Sequence, residues 1–381
     1  MKGTLLSASP LIAALCGMPI TTVAVDAENV DGGLVTSKVL DLTTLPNLTD
    51  IIPRLQTKRV VYVGESHDRY AHHLNQLAII RGLHASGGNW AIGLEPFQQP
   101  FQEVLDAFVA GDIEASTLLR RSEYYKRWKY DFRHYHPILE FARKNRIPLI
   151  ALNAPQELVD RVSQVGLGGL NFEERRQLPA SIDRTDNAYH ERLRDIYAQH
   201  PGSGDSDFER FLDVQLLWDE TMAERIAKHL SQDPASRIIV LAGNEHLAYG
   251  SGIPRRVARR VPADGVIVTN GIGEGIDARV ADFVLLPQDQ ELPPKGRLGI
   301  YMQAAKDGVG IESFTEKSAA KEAGAQVGDV IVALDSHPVR EIADIRLAIW
   351  DKVPGDPVQL RVRRRRWLVG AKELALEVRL D

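Results

Sequence analysis

Val60-Val61-Tyr62-Val63-Gly64-Glu65-Ser66-His67-Asp68 is an apolar run that stops at a glycine and a cluster of ionisable side chains. Four residues of high strand propensity followed by Gly, Glu, His and Asp predict a buried strand whose carboxyl end delivers polar groups to a crevice, which is where open α/β sheets bind ligands. The pattern recurs at Ile238-Ile239-Val240-Leu241-Ala242-Gly243-Asn244-Glu245-His246, again a buried-strand run leading into Gly-x-x-His. Two such strand ends can converge on one site if both strands belong to one sheet. Between them, Tyr70–Leu83 carries apolar residues at helical spacing. Trp90-Ala91-Ile92-Gly93-Leu94-Glu95-Pro96 reads as a second buried strand, with Pro96 placed to open the next helix, and Ile147–Pro155 as a third strand that ends at Asn153. Strands alternating with helices, polar residues at each carboxyl end, predict an α/β fold with a mostly parallel sheet flanked by helices.

Outward from this core the chain divides by composition. At 381 residues it is long for one core, and a 44% hydrophobic, 25% charged composition belongs to a globular chain. A net charge of −5 gives no reason to expect nucleic acid as a partner. Residues 1–27 open with Lys2 and a short apolar stretch and read as an export signal. Cys16, the single cysteine, makes this a candidate lipoprotein segment, so the membrane enters only through an N-terminal lipid anchor. Leu15 stands where a lipobox has a small residue; cleavage near Ala24 or Ala27 is the alternative. The expected location is the periplasm or the outer membrane of a Gram-negative bacterium. Residues 28–48 read as a tether, 49–287 as the α/β domain, and 288–295, rich in proline and charge, as a linker. From 155 to 232 the chain is mainly helical, and its last helix, Phe208–Leu230, sets Gln215, Trp218, Asp219 and Met222 on one side.

Residues 296–381 differ in character. Gly296-Arg297-Leu298-Gly299-Ile300 is a glycine-rich strand entry, and Ser318–Asp335 reads as a short helix, a glycine turn and a strand. This part resembles a small β-rich PDZ domain. The resemblance implies that Arg297, Leu298, Gly299 and Ile300 form the loop whose backbone N–H groups hold a peptide's terminal carboxylate, with the helix near Asp344–Trp350 as the other groove wall. The partners so implied are protein C-termini or an envelope protein. The Arg361–Arg366 run reads as a solvated edge hairpin with Val362, Trp367 and Val369 packing inward.

From their chemistry, Glu65, His67, Glu95 and His246 are two carboxylates and two imidazoles on strand ends. Such a set binds a divalent metal such as manganese, cobalt or zinc, with Asn153 behind it, or holds a histidine as general base for hydrolysis. Glu245 adds a carboxylate beside the second histidine. The ordered motifs Gly64-Glu65-Ser66-His67-Asp68, Gly93-Leu94-Glu95-Pro96-Phe97, Tyr135-His136-Pro137-Ile138, Pro148–Asn153, Trp218–Ala223 and Gly243-Asn244-Glu245-His246 are together similar to the ChaN family of haem-binding uptake lipoproteins. That family shares a superfamily with the Tiki metalloproteases and the erythromycin esterases. The resemblance spans about Thr57–Pro287 and implies haem as cofactor, a role in haem or iron uptake, and a homodimer if haems pair face to face.

Ferric iron accepts a phenolate or an imidazole, and a porphyrin needs apolar walls and cations for its propionates. Tyr130, His134, Tyr135 and His136 supply such ligands; Trp128 and Phe132 supply walls; Lys126, Lys129 and Arg133 supply charge. Tyr135, in the Tyr-x-Pro-Ile motif, is the first candidate for iron. The superfamily leaves a second expectation, a metalloprotease or esterase-type hydrolase working through Glu65, His67, Glu95 and His246.

Overall fold

The computed structural model describes residues 41, 43–199, 205–271, 277–366 and 370–381. The export signal read at 1–27, Cys16 included, and most of the tether lie outside them, as do Trp367 and Val369. The chain forms two compact units, one of the described residues up to Asp112 with Pro137–Gln290, the other of Ile113–His136 with Glu291–Asp381. The sequence division keeps 49–287 together; in the structure Ile113–His136 belongs instead with the C-terminal residues.

In chain order the elements are α1 (Leu48–Leu55), β1 (Val60–Glu65), α2 (Tyr70–Ala85), β2 (Asn89–Gln98), α3 (Gln102–Ala110), α4 (Ala115–Arg121), α5 (Tyr124–Arg127), α6 (His136–Asn145), β3 (Leu149–Asn153), α7 (Gln156–Val165), α8 (Phe172–Arg175), α9 (Asn187–Ala198), α10 (Asp205–Gln232), β4 (Ser236–Gly243), α11 (Asn244–Leu247), α12 (Ile253–Arg260), β5 (Gly265–Asn270) and β6 (Phe283–Leu285). The second unit continues with β7 (Ile300–Ala305), β8 (Gly308–Phe314), α13 (Ala319–Glu322), β9 (Val330–Leu334), β10 (His337–Pro338), α14 (Ile342–Ala348), β11 (Pro357–Arg366) and β12 (Gly370–Arg379).

The first unit is built on a six-stranded sheet of order β3-β2-β4-β1-β5-β6. Every pairing in it is parallel. Helices cover both faces of such a sheet, so its strands have no wet side, and all six residues of β1 are buried. The inner β4 residues Ile238, Ile239, Val240 and Leu241 are likewise buried, each worth about 2 kcal/mol over leaving it in water. Met222, Ile226 and Leu230 of α10 and Val257 of α12 close one face of the sheet against Val60 and Val240. Ile79, Ile80 and Leu83 of α2 are fully buried. β1 and β4 run in register, with Glu65 opposite Gly243, so the two Gly-x-x-His strand ends lie side by side. β2 flanks β4 on its other side. It runs on past Pro96 to Gln98, with a register shift against β3 after Leu94, and the helix that Pro96 was expected to open begins later, at Gln99. Glu95 therefore sits in the irregular end of β2, where the backbone is released from the regular ladder.

The second unit is an antiparallel sheet of order β12-β11-β9-β8-β7, with β10 paired to β9. Val309, Ile311, Ile331, Ile345, Leu360 and Val362 lie in its core. The arginine run is half of the long β11–β12 hairpin; Val362 points inward, as expected, and Arg364 reaches Asp329 at 2.8 and 2.7 Å. Segment Ile113–His136, with α4 and α5, packs on this sheet's helix α14.

Candidate functional site

In the first unit Glu65, His67, Glu95 and His246 come together at the carboxyl ends of β1, β2 and β4. Glu65 Oε1 lies 2.8 Å from His67 Nδ1. Its Oε2 accepts from the Gln76 amide at 2.7 Å, and Gln76 also donates to the Val63 carbonyl at 3.2 Å. Glu95 Oε2 accepts from the Gly243 amide at 2.7 Å, while Oε1 faces His246 Nε2 at 3.4 Å. Asn153, read as a supporting residue, donates to the Glu95 carbonyl at 3.1 Å and so holds the irregular turn that aims Glu95. The glycines are required by this closeness. A Cβ on Gly64 would lie 2.1 Å from Asn244 Oδ1, and one on Gly243 would lie 3.1 Å from the His67 ring. The two imidazole side chains keep 10% and 12% of their surface, against 1% and 6% for Glu65 and Glu95. Imidazole edges thus reach the crevice while the carboxylates stand behind them.

Four further residues complete the cluster. Asp219, from the middle of α10, holds His246 Nδ1 at 2.6 Å with Oδ1 and accepts the Tyr189 hydroxyl at 2.6 Å with Oδ2. The buried Arg256 guanidinium lies 4.4 Å from the centre of the Tyr189 ring. His73 on α2 donates from Nε2 to the His67 carbonyl at 3.2 Å and sets its Nδ1 3.3 Å from Glu65 Oε2. The sequence put Asp219 on one side of a helix but offered no reason to send that side to His246; its spacing from neighbouring apolar residues was the available signal. Glu245, expected beside the histidine pair, is held by Arg192 at 2.7 Å.

The electrostatics separate the histidines. Burial lowers the His246 pKa, but Asp219 and Glu95 on its two nitrogens outweigh burial and raise it to about 10, so it is an imidazolium at neutral pH. Burial raises Asp219 and Glu95, yet His246 carries both below their ordinary range. His72, whose Nδ1 accepts the Ser66 amide at 2.9 Å, is pushed down to about 4 by burial and by His73. Burial also lowers His73. The arrangement holds each strand-end imidazole against carboxylate, His67 on Glu65 and His246 between Asp219 and Glu95. Among the described residues no group of three or more His, Cys, Asp or Glu is arranged to hold a metal ion. The carboxylate oxygens are taken up pairwise by imidazoles, an amide side chain and a backbone N–H, which lends no support to the manganese, cobalt or zinc site expected at these four residues.

The aromatic segment lies in the second unit. Tyr135, the first candidate for iron, is fully buried, and His134 is buried as well. Tyr130, Arg133 and His136 are half-buried. Arg133 is committed to Asp131 at 3.1 and 3.0 Å and to the Pro293 carbonyl at 2.7 Å. The Tyr130 ring lies 5.6 Å from that of Trp128, and Lys126 and Lys129 beside them are exposed. A half-buried phenol, an indole wall and two ammonium groups are parts a porphyrin needs, so this segment fits haem at Tyr130 more readily than at the fully buried Tyr135. In the same unit, Leu298 is buried, Arg297 is exposed, Gly299 takes φ 69°, and Ile300 opens β7, an edge strand. A Cβ at Gly299 would lie 2.5 Å from the Ser318 backbone, so the loop requires glycine there.

Known proteins resemble the chain in two separate stretches. Residues 296–380 match the PDZ domain family. A solved structure titled as the HtrA3 PDZ domain bound to a phage-derived ligand is 21% identical, with 23% of this chain and 86% of that one covered and a TM-score of 0.20. A structure titled as cofacial heme binding to ChaN of Campylobacter jejuni is 22% identical, covers 63% of this chain and 91% of that one, and superposes with a TM-score of 0.53. Protein RETICULATA-RELATED 5, chloroplastic, of Arabidopsis thaliana is 26% identical over 239 residues; they are 56% of this chain but only 31% of that protein, so the chain spans about a third of that relative's length. Residues 51–257, more than half of the chain, match the family described as haem-binding uptake, Tiki superfamily, ChaN, and the chain belongs to that family, with a PDZ domain following it.

Proposed function

We propose that this protein binds haem in the cell envelope, takes part in haem or iron uptake, and uses its PDZ domain to dock the C-terminus of a partner. The observation that carries the reading is the family match over residues 51–257. Within that stretch, Tyr130 beside Trp128, with Lys126 and Lys129 near, supplies a phenol ligand for ferric iron, an aromatic wall and charge for propionates. Haem would supply an iron centre, and Tyr130 would supply the phenolate that holds it. The export signal read at 1–27 supports the envelope location. The Campylobacter jejuni structure's title speaks of cofacial heme, and a pair of that kind in this protein joins two protomers. Residues Arg297, Leu298, Gly299 and Ile300 take the peptide carboxylate, and the β7 edge takes the peptide backbone.

Titration of the protein from residue 27 onward with haemin, followed by absorbance, tests the reading beside Tyr130→Phe, Tyr135→Phe and His136→Ala. Saturable binding that disappears in Tyr130→Phe is expected. A spectrum that never saturates with the unaltered protein sinks the proposal. Sedimentation with and without haemin reads the dimer.

A second reading rests on the Glu65–His67 pair, with His246 held beside it between Asp219 and Glu95. His67 serves as general base toward a water while Glu65 orients its ring, which is hydrolysis of an ester or amide without a covalent intermediate. Turnover of ester or peptide substrates that is lost in His67→Ala and His246→Ala supports it.

A further inference from the structure

Tyr130 stands between two residues that the C-terminal stretch of the second unit holds. On one side, Arg346 of α14 donates to the Lys129 carbonyl at 3.2 Å. On the other, Lys295 donates to Asp131 at 2.9 Å, and Arg133 ties the same carboxylate to the Pro293 carbonyl. Next in the chain, the rings of Phe132 and, four residues later, His136 meet Trp350 edge-on, at 5.3 and 5.0 Å between centres. The held backbone is a costly one. Lys129 has φ 73°, a left-handed conformation that a non-glycine residue keeps, at about 1–3 kcal/mol, only where its surroundings impose it. Contacts on this stretch come from Arg346, at the Lys129 carbonyl, and from Lys295, at Asp131, both outside the segment that carries the phenol.

We propose that Arg346 and Lys295 are positioning residues for the Tyr130 ligand, so that the PDZ domain, besides taking peptides, and the linker residue before it set the conformation in which the aromatic segment binds haem. This rests on the haem reading. It makes haem affinity a property of the whole second unit: the stretch from Lys129 to Asp131 keeps its shape only while Arg346 and Lys295 hold its two ends. Positioning groups of this kind typically change affinity ten- to hundredfold without touching the ligand.

Haemin titration of the full chain carrying Arg346→Ala, Lys295→Ala, Arg346→Lys or Tyr130→Phe, with hydrogen exchange over residues 124–136 in the same proteins, tests this. Arg346→Ala is expected to weaken haemin by roughly tenfold or more, move the Soret band toward that of Tyr130→Phe and lose amide protection at 129–131, with Arg346→Lys restoring part of all three. Wild-type affinity and spectrum in both Arg346→Ala and Lys295→Ala overturn the proposal. If the unaltered protein binds no haemin, the haem reading fails by itself. Hydrogen exchange then decides the clamp: protection lost at 129–131 supports it, and unchanged protection overturns it.

Discussion

His246 is an imidazole that keeps its proton because both of its nitrogens face carboxylates. Its pKa near 10 lies above the value of 6.5 it has when unfolded, so its contribution to stability is complete below about pH 6.5 and is lost as pH rises through about 10. Asp219 and Glu95 are lowered, so theirs is complete above the ordinary carboxylate range and is lost on acidification. Urea unfolding at pH 6, 8 and 10 is therefore expected to show stability declining over that interval, a decline that Asp219→Asn largely abolishes. Removing one charge of a buried set also costs about 3 kcal/mol at pH 7. A flat profile in the unaltered protein contradicts the assignment. Gly252 has a similar role in steric terms: a Cβ there would lie 2.1 Å from the His246 carbonyl oxygen, which as backbone cannot yield. Gly252→Ala is expected to cost about 2 kcal/mol and to disturb the His246 resonance in an NMR titration. Glu65, His67, Glu95 and His246 were legible in the sequence because each ends an apolar run. Asp219 was not, because a carboxylate on a long helix looks like any solvated one until the helix is docked.

At the scale of elements, α10 serves two ends. Its 28 residues carry Met222 and Ile226 into the sheet and Asp219 to the site. Ile226→Ala is expected to lower stability by about 3 kcal/mol, measured by denaturant midpoint, while the His246 titration stays in place, since the loss is of packing alone. If His246 shifts as well, packing and site are more tightly coupled than their contacts indicate. The alternation of strands and helices was readable because buried parallel strands leave runs of Val, Ile and Leu that no amphipathic helix shares. The end of β2 was not, since Pro96 suits a helix start by its φ angle, and only pairing with β3 carries the strand on to Gln98. Glu245 was misplaced for a related reason: it follows β4 in sequence beside His246, but Arg192 on α9 draws it aside.

For the whole molecule, the division into units departs from the order of the chain. Segment Ile113–His136 leaves the α/β unit and returns to it at Pro137. A chain ending at Gln290 strips Phe132 of Trp350, Lys129 of Arg346 and Asp131 of Lys295. That truncation is expected to bind a hydrophobic dye such as ANS and to lose amide protection over 113–136, while β1, β2 and β4 stay protected. Full protection of 113–136 without the PDZ domain contradicts the grouping. Among the described residues no helix is long and apolar enough to cross a membrane.

By itself the sequence determined what local chemistry can encode. Apolar runs specify buried parallel strands, the glycines after them specify close backbone approach, and the Arg-Leu-Gly-Ile turn with its following helix specifies a PDZ entry. Only the tertiary structure decided which side chains meet. Strand order brings β4 between β1 and β2, so residues far apart in the chain share one site, and the fold buries Tyr135 fully but Tyr130 only in part. The physical reason is range: propensity and periodicity act over a few residues, whereas a hydrogen bond or an ion pair depends on where the chain returns, and nothing in the spacing of Asp219 or Lys129 states that position.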